Sequence, residues 1–257
     1  IKEISQLCNE KNIYFHTDAV QCIGKKNINI NNFNIDMLSI GAHKFYGPKG
    51  IGALYIKNGI TVNPLLIGGG QEKGISPGTE SPSLISGMAY ALELSLANLN
   101  NNNQRIEEME QLFISLLDNT KIKYKINGSP RLKGFINITF FDYDGYSLLL
   151  NLDMNNIAIS YGSACSSGST KASNALLVTG MKEEIAKNTI RISIGNFIEK
   201  NDIKQLVNNL DDVLLDIDSK IEYYISLENT KIKTNLIYSI NKFDIKRIYW
   251  IKFEDWS

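Results

Sequence analysis

The chain has 257 residues, 43% of them hydrophobic, which is enough apolar material for a packed core of one or two domains. Lysine plus arginine and aspartate plus glutamate each total 27, so no net field draws the protein to nucleic acid, and nucleic acid is not an expected partner. No apolar run is long enough to cross a bilayer, and the first residues, IKEISQLCNE, lack the regions of a signal peptide. We therefore expect no membrane association and a cytoplasmic location, without excluding an organelle.

The beginning of the chain has a helical pattern. Ile1, Ile4 and Leu7 have helical spacing, and the first residue is not Met, so we interpret the sequence as a fragment that begins inside an element. Cys8 and Cys22 lie among apolar neighbours, which is typical of small core residues. With Cys165 they make an odd number without metal-ligand pairing, so we expect thiols and no metal site.

The remaining apolar runs predict an alternating α/β order. Short runs predict strands at residues 13–16, 36–40, 51–56, 135–140, 157–161 and 189–194. Helical periodicity predicts helices at residues 84–99, 106–117, 146–153, 172–178 and 203–215. The polar stretch 100–104 is the predicted domain boundary, which divides the chain into residues 1–99, 100–220 and a tail, 221–257, of strands or a poorly ordered extension.

Two motifs place polar residues after predicted strands. In HTDAVQ, Asp18 ends a strand, where open α/β sheets bind ligands, although such an acid is more often a helix cap or turn residue. In SIGAHKFYGPKG, Lys44 lies on a turn whose glycines and proline fix the backbone path. A positioned, deprotonatable amine suits Schiff-base chemistry, but a Lys beside His43 is commonly only solvated. Neither motif is decisive by itself.

Three further residues are candidates for binding or catalysis. Cys165 lies in GSACSSGST, a run of small residues that would leave its sulfur accessible, although a linker with an incidental Cys is the alternative. Thr79, in SPGTESP, has a hydroxyl that could hold a phosphate. Arg191, in TIRISIG, could grip a carboxylate in a two-pronged contact. Each signal is weak alone, because turn threonines and strand arginines are common.

Taken in order, HTDAVQ, AHKFYGPKG, PGTE, GSACSSGST and TIRISIG resemble the cysteine desulfurases of the class V aminotransferase group, of the NifS/IscS type. The resemblance covers about residues 1–220. It implies a fold-type I pyridoxal-phosphate transferase that works as a homodimer. Residues 1–99 would be the C-terminal part of a large domain with a mostly parallel sheet, and residues 100–220 a smaller α/β domain.

The resemblance also implies a role for each residue. Lys44 would carry pyridoxal 5′-phosphate and move protons. The cofactor's remaining contacts would come from Asp18 at the ring nitrogen, Gln21 at the ring oxygen, and His43 and a second subunit's Thr79 at the phosphate. Arg191 would bind the carboxylate of L-cysteine. Cys165 would take the sulfur as a persulfide for an acceptor or scaffold protein in iron–sulfur cluster assembly or tRNA thiolation, and could be a transient iron–sulfur ligand.

The sequence departs from the family in two ways. Gly41 stands where many relatives have a phosphate-binding Ser, and the family's N-terminal portion, which carries further cofactor contacts, has no counterpart. Two alternatives therefore stay open. One is selenocysteine lyase or related class V aminotransferase chemistry, which depends less on Cys165. The other is an inactive fragment that acts only as a binding module.

Overall fold

A computed structural model describes residues 1–30, 32–141, 143–162 and 172–229, with side chains up to residue 214. The chain divides into two compact units, residues 1–103 and 104–257. The division falls within the polar stretch 100–104, which lies inside a helix rather than between two helices. These polar side chains stay half-buried or exposed, and a solvated helix face tolerates them. The assignment of residues 1–99, 100–220 and 221–257 to separate parts stays a prediction.

The first unit combines a three-stranded sheet with two helices. In chain order its elements are α1 (Lys2–Glu10), β1 (His16–Asp18), β2 (Met37–Gly41), β3 (Gly52–Ile56) and α2 (Pro82–Ala97), with short 3-10 helices at Ala42–Phe45 and Gln71–Gly74. The strand order is β1-β2-β3. β1 is parallel to β2, whereas β3 is antiparallel to β2. The three strands lie within three residues of their predicted positions.

The sheet of the first unit encloses a small apolar cluster. Ala19, Ile35 and Leu38 are its buried members, and Cys22 packs against them. Cys8 and Cys22 are both free thiols and both half-buried. Cys22 therefore has the packing role expected of a small core residue, whereas Cys8 does not pack against this cluster.

The second unit has a four-stranded antiparallel sheet with helices packed against it. Its elements are α3 (Leu99–Asp118), whose first five residues belong to the first unit, β4 (Tyr124–Asn127), β5 (Phe135–Phe140), α4 (Gly145–Met154), β6 (Ser160–Tyr161), α5 (Asn174–Val178), α6 (Glu183–Lys187), β7 (Thr189–Ser193) and α7 (Lys200–Asn229). The strand order is β4-β5-β7-β6. The core is built from apolar side chains of the sheet and of α3, α4 and α7, among them Phe113, Ile138, Leu148, Ile190 and Leu210. β4 and α6 were not predicted from the sequence.

The C-terminal tail is only partly within the described residues. α7 continues to Asn229, so the start of the predicted tail, at residue 221, is helical rather than strand or irregular. Residues 230–257 lie outside the described residues. Of the helices that the structure describes, none combines the length and the apolar character needed to span a bilayer.

A buried ion pair joins α3 to the segment before β5. Glu110, 1% exposed, accepts hydrogen bonds from Arg131 at 2.8 and 2.6 Å and from the Gly134 amide at 2.7 Å. Burial alone would raise the pKa of Glu110, but these hydrogen bonds and the charges of Arg131 and Lys133 outweigh burial and lower it. The ionised carboxylate is therefore favoured by folding.

We predict that Glu110→Gln destabilises the protein by about 3 kcal/mol at pH 7, because Arg131 loses its buried counter-charge. Since the folded pKa of Glu110 is lowered, its contribution is fully present above the usual pKa of 4.5 and is lost as the pH falls through the folded value. Urea unfolding of both proteins at pH 7 and under acidic conditions measures this difference.

Glu107→Gln is the matched control, because Glu107 is 47% exposed and meets Lys133 at 3.2 Å. Removing an exposed ion pair should cost less than about 1 kcal/mol. Equal losses for the two variants would contradict the role given to Glu110.

Candidate active site

The parallel pairing of β1 and β2 brings their carboxyl ends to one edge of the sheet. Asp18, the last residue of β1, is in register with Ser39, and the next amide, that of Ala19, donates to the Ser39 carbonyl at 2.9 Å. β2 ends two residues later at Gly41, and the 3-10 helix that carries Lys44 begins at Ala42. Asp18 and the Lys44 segment therefore leave the sheet at the same edge, where open α/β sheets bind ligands.

The carboxylate of Asp18 is only partly used by the fold. Its Oδ1 accepts a hydrogen bond from the Val20 amide at 2.9 Å, which is the turn role that such an acid commonly has. Oδ2 accepts no hydrogen bond from any residue that the structure describes. The Asp18 side chain is exposed, so this second oxygen can receive a ligand proton.

The segment that carries Lys44 has a fixed backbone path. Tyr46 ends the 3-10 helix in the left-handed region, with φ of 66°, and the Gly47 amide donates to the Ala42 carbonyl at 2.9 Å. A Cβ atom at Gly47 would lie 3.0 Å from both Cβ and the carbonyl oxygen of Ala42, so a larger residue does not fit without a shift. These contacts fix the backbone around Lys44, while the role of its amine stays a prediction.

The helix α2 packs against the segment that carries Lys44 and helps to fix its backbone. Phe45 is buried, and its carbonyl accepts a hydrogen bond from the Ser95 hydroxyl at 3.1 Å. Lys44 itself is half-buried, and its amine donates no hydrogen bond to any described residue. Its backbone is therefore held in place while its side-chain nitrogen stays available.

The other predicted cofactor contacts of this unit have exposed side chains. Gln21, His43 and Thr79 form no side-chain hydrogen bonds within the described part of the chain. Gln21 follows β1 and His43 precedes Lys44, so both belong to the edge described above. Thr79 lies farther along, between the second 3-10 helix and α2, and is not hydrogen-bonded to the other site residues.

In the second unit, Arg191 lies on β7 between the two flanking strands. It is in register with Asn137 of β5 and Ser160 of β6. One guanidinium nitrogen, Nη2, donates to the Ser160 hydroxyl at 3.1 Å, while Nε is buried without a hydrogen-bond partner among the described residues. A buried donor without a partner is costly. The predicted role of Arg191 in binding a carboxylate stays a prediction.

Two residues of these sites were not singled out in the sequence. Ser160 orients Arg191, and its contact follows from strand pairing, which no local motif reveals. Lys25 places its ammonium 3.3 Å from the Lys44 carbonyl oxygen. Burial first, and then the charge of Lys44, lower the pKa of Lys25, while Cys22 acts in the opposite direction. In the sequence, Lys25 is indistinguishable from its neighbour Lys26.

Cys165 lies outside the described residues, in the stretch 163–171 that follows β6 in the chain. Its role therefore stays a prediction. Within the described ranges, no group of three or more His, Cys, Asp or Glu side chains is arranged to hold a metal ion.

Comparison with known proteins identifies the class of protein to which this fold and these residues belong. Residues 1–206 match the aminotransferase class-V family. The chain is 44% identical over 218 residues to the cysteine desulfurase IscS of Clostridium botulinum strain Hall, covering 83% of this chain and 55% of that protein. It is 40% identical over 216 residues to the mitochondrial cysteine desulfurase of Saccharomyces cerevisiae, covering 82% of this chain and 43% of that protein.

A solved structure gives the same result. The NifS-like protein from Rickettsia africae ESF-5 superposes with a TM-score of 0.75 at 30% identity, covering 83% of this chain and 57% of that one. The chain belongs to the aminotransferase class-V family, whose members use pyridoxal phosphate. The α/β, fold-type I prediction is confirmed. The chain spans about half the length of the curated relatives it matches.

We predict that Gly47→Ala displaces the Lys44 segment, because the new Cβ would meet Ala42 at 3.0 Å. The cost should be about 1–3 kcal/mol, as for other overpacked sites, with faster amide hydrogen exchange in residues 42–47. Thermal unfolding and hydrogen exchange with mass spectrometry measure both effects.

Gly70→Ala is the matched control, because Gly70 has φ of −82° and a Cβ added there would have no atom within 4 Å. It should leave stability unchanged within about 1 kcal/mol. If Gly47→Ala behaves like this control, the segment is not confined as the contacts indicate.

Proposed function

We propose that this protein is a cysteine desulfurase, which removes sulfur from L-cysteine with the help of pyridoxal phosphate and leaves L-alanine and a persulfide on Cys165. The observation that carries the proposal is the placement of Asp18 and the Lys44 segment at one sheet edge. The similarity to proteins named as cysteine desulfurases and the GSACSSGST run support it.

The chemistry of the available groups fits pyridoxal phosphate. The Lys44 amine would hold the cofactor's aldehyde carbon, and Oδ2 of Asp18 would hold a proton on its ring nitrogen. Gln21 would bind the ring oxygen, and His43 and a second subunit's Thr79 the phosphate. Bound pyridoxal phosphate supplies an electron sink for bond breaking at the substrate. A half-buried amine and an unused carboxylate oxygen are the groups that this binding needs.

Arg191 would bind the substrate's carboxylate. Its guanidinium is held on β7, and Ser160 fixes Nη2 while Nε remains without a partner among the described residues. The guanidinium N–H groups that Ser160 does not bind can donate hydrogen bonds to a carboxylate. This grip orients cysteine, and Lys44 then moves protons to and from the substrate carbon atoms.

Cys165 would be the sulfur acceptor. Its thiolate attacks the sulfur of the substrate, so a sulfur–sulfur bond forms while the bond between that sulfur and the β-carbon breaks. The departing carbon takes up a proton and becomes the methyl group of alanine. One sulfur atom is transferred, the Cys165 sulfur is oxidised and the carbon is reduced, so no external oxidant is required.

The persulfide would then pass to a sulfur-acceptor or scaffold protein for iron–sulfur cluster assembly or tRNA thiolation, and Cys165 could be a transient iron–sulfur ligand during delivery.

We propose that the protein works as a homodimer. Large apolar side chains of the first unit support an interface, since Leu65 and Ile67 are 96% and 99% exposed. The location, cytoplasm or organelle, stays a prediction, and the yeast relative is named as mitochondrial.

The test compares wild type with Lys44→Ala and Cys165→Ala. Lys44→Ala should abolish the visible absorbance band of bound pyridoxal phosphate and its borohydride-stable adduct, because the amine that holds the cofactor is gone. Cys165→Ala should keep the band but lower alanine formation from cysteine by more than about a hundredfold.

Cys8→Ala is the control for Cys165→Ala, because Cys8 is a half-buried free thiol on α1 and is not one of the predicted site residues. It should retain turnover. Undiminished alanine formation by Cys165→Ala would overturn the role of Cys165, and a wild-type protein without a band would show that this chain alone does not hold the cofactor.

We further predict that Gly41→Ser tightens cofactor binding about tenfold, because a hydroxyl two residues before His43 adds a phosphate contact. Gly41 has extended backbone angles, and a Cβ there would lie 3.6 Å from both His43 and Val20, which is ordinary contact. Gly41→Ala adds the same Cβ without the hydroxyl and should leave affinity unchanged. Equal affinities of the two variants, measured by absorbance titration, would contradict the prediction.

A further inference from the structure

Lys25 lies between the two segments that follow β1 and β2. Its ammonium nitrogen is 3.4 Å from the carbonyl oxygen of Gln21 and 3.3 Å from that of Lys44. The first contact is local, four residues along the chain, whereas the second spans 19 residues. A single side chain therefore contacts the backbone of both segments on which the proposed cofactor contacts lie.

The backbone of Lys25 is itself fixed by the fold. The preceding residue, Gly24, has φ of 76°, and a Cβ there would lie 3.1 Å from Phe45 and 3.2 Å from Ser95. The Lys25 carbonyl accepts a hydrogen bond from the Asn103 side chain at 3.1 Å. The close packing of Gly24 and this hydrogen bond set the point from which the Lys25 side chain reaches the Lys44 segment.

Lys25 differs from an ordinary solvated surface lysine in its burial and in the charges around it. Lys25 is half-buried, and its pKa is lowered by burial and by the charge of Lys44. Burial of the ammonium costs free energy, and the carbonyl oxygens of Gln21 and Lys44 offset part of this cost because their negative partial charge faces the ammonium. Lys26, the next residue, is exposed and has no such contact among the described residues. Lys26 is therefore a matched control for the contacts of Lys25.

We propose that Lys25 is a positioning residue of the candidate active site, which bridges the carbonyl oxygens of Gln21 and Lys44 and so fixes the Schiff-base lysine relative to the segment that follows β1. The inference rests on the proposed function for the identity of the ligand. It assigns Lys25 no contact with the cofactor and no step in the reaction. Its effect is transmitted through the backbone of residue 44.

The test compares wild type, Lys25→Met, Lys25→Arg and Lys26→Met in two measurements. The first is amide hydrogen exchange without cofactor, and the second is pyridoxal phosphate affinity by absorbance titration. Lys25→Met should speed exchange in residues 19–26 and 42–47 alone and weaken affinity about tenfold, because the methionine cannot donate to either carbonyl. Lys25→Arg should recover most of both, and Lys26→Met should match wild type.

Three results would overturn the proposal: unchanged exchange in Lys25→Met, faster exchange throughout residues 1–103, or no recovery in Lys25→Arg. The exchange measurement needs no cofactor, so it separates this proposal from the proposed function. If wild type forms no adduct with pyridoxal phosphate while Lys25→Met still loosens the two segments locally, the bridge stands and the proposed function fails.

Discussion

The parallel pairing of β1 with β2 is the constraint on which the site in the first unit depends. Parallel neighbours direct their carboxyl ends to the same edge, so the segments after Asp18 and after Gly41 start side by side although they are more than 20 residues apart in sequence. An antiparallel pair would have sent them to opposite ends. The turn of residues 19–26 and the 3-10 helix with Lys44 can therefore share the contacts of Lys25.

In the second unit, the antiparallel sheet determines how the Arg191 side chain is oriented. Arg191 is a half-buried charged residue on a strand whose neighbouring residues, Ile190 and Ile192, are buried in the core. Side-chain alternation along β7 makes this possible, because Arg191 points to the opposite face from those isoleucines. The hydroxyl of Ser160, across the strand pair, then holds one side of the guanidinium. Rigid strand pairing thus orients a flexible side chain.

The sequence predicts elements well where burial is periodic. Residues 135–140 form β5 with the predicted bounds, because apolar residues dominate a strand at the centre of the core. β4 and α6 are short and mixed in polarity, so they give little signal. The apolar spacing at the start of the chain correctly predicts α1, yet Ile4 and Leu7 are more than half exposed. Periodicity identifies a helix without identifying what covers it.

The site shows the same division between local and long-range information. Asp18 and Lys44 were singled out from the sequence because their motifs, taken together with three others, resemble those of a known family. Lys25 was not, because its importance comes from one contact across 19 residues and from burial that differs from that of Lys26. Two nearby ammonium groups repel one another, and the repulsion is weaker when an anion lies beside them. The proposed role of Lys25 needs no contact with a ligand, because its side chain acts on the backbone of Lys44 through the Lys44 carbonyl oxygen.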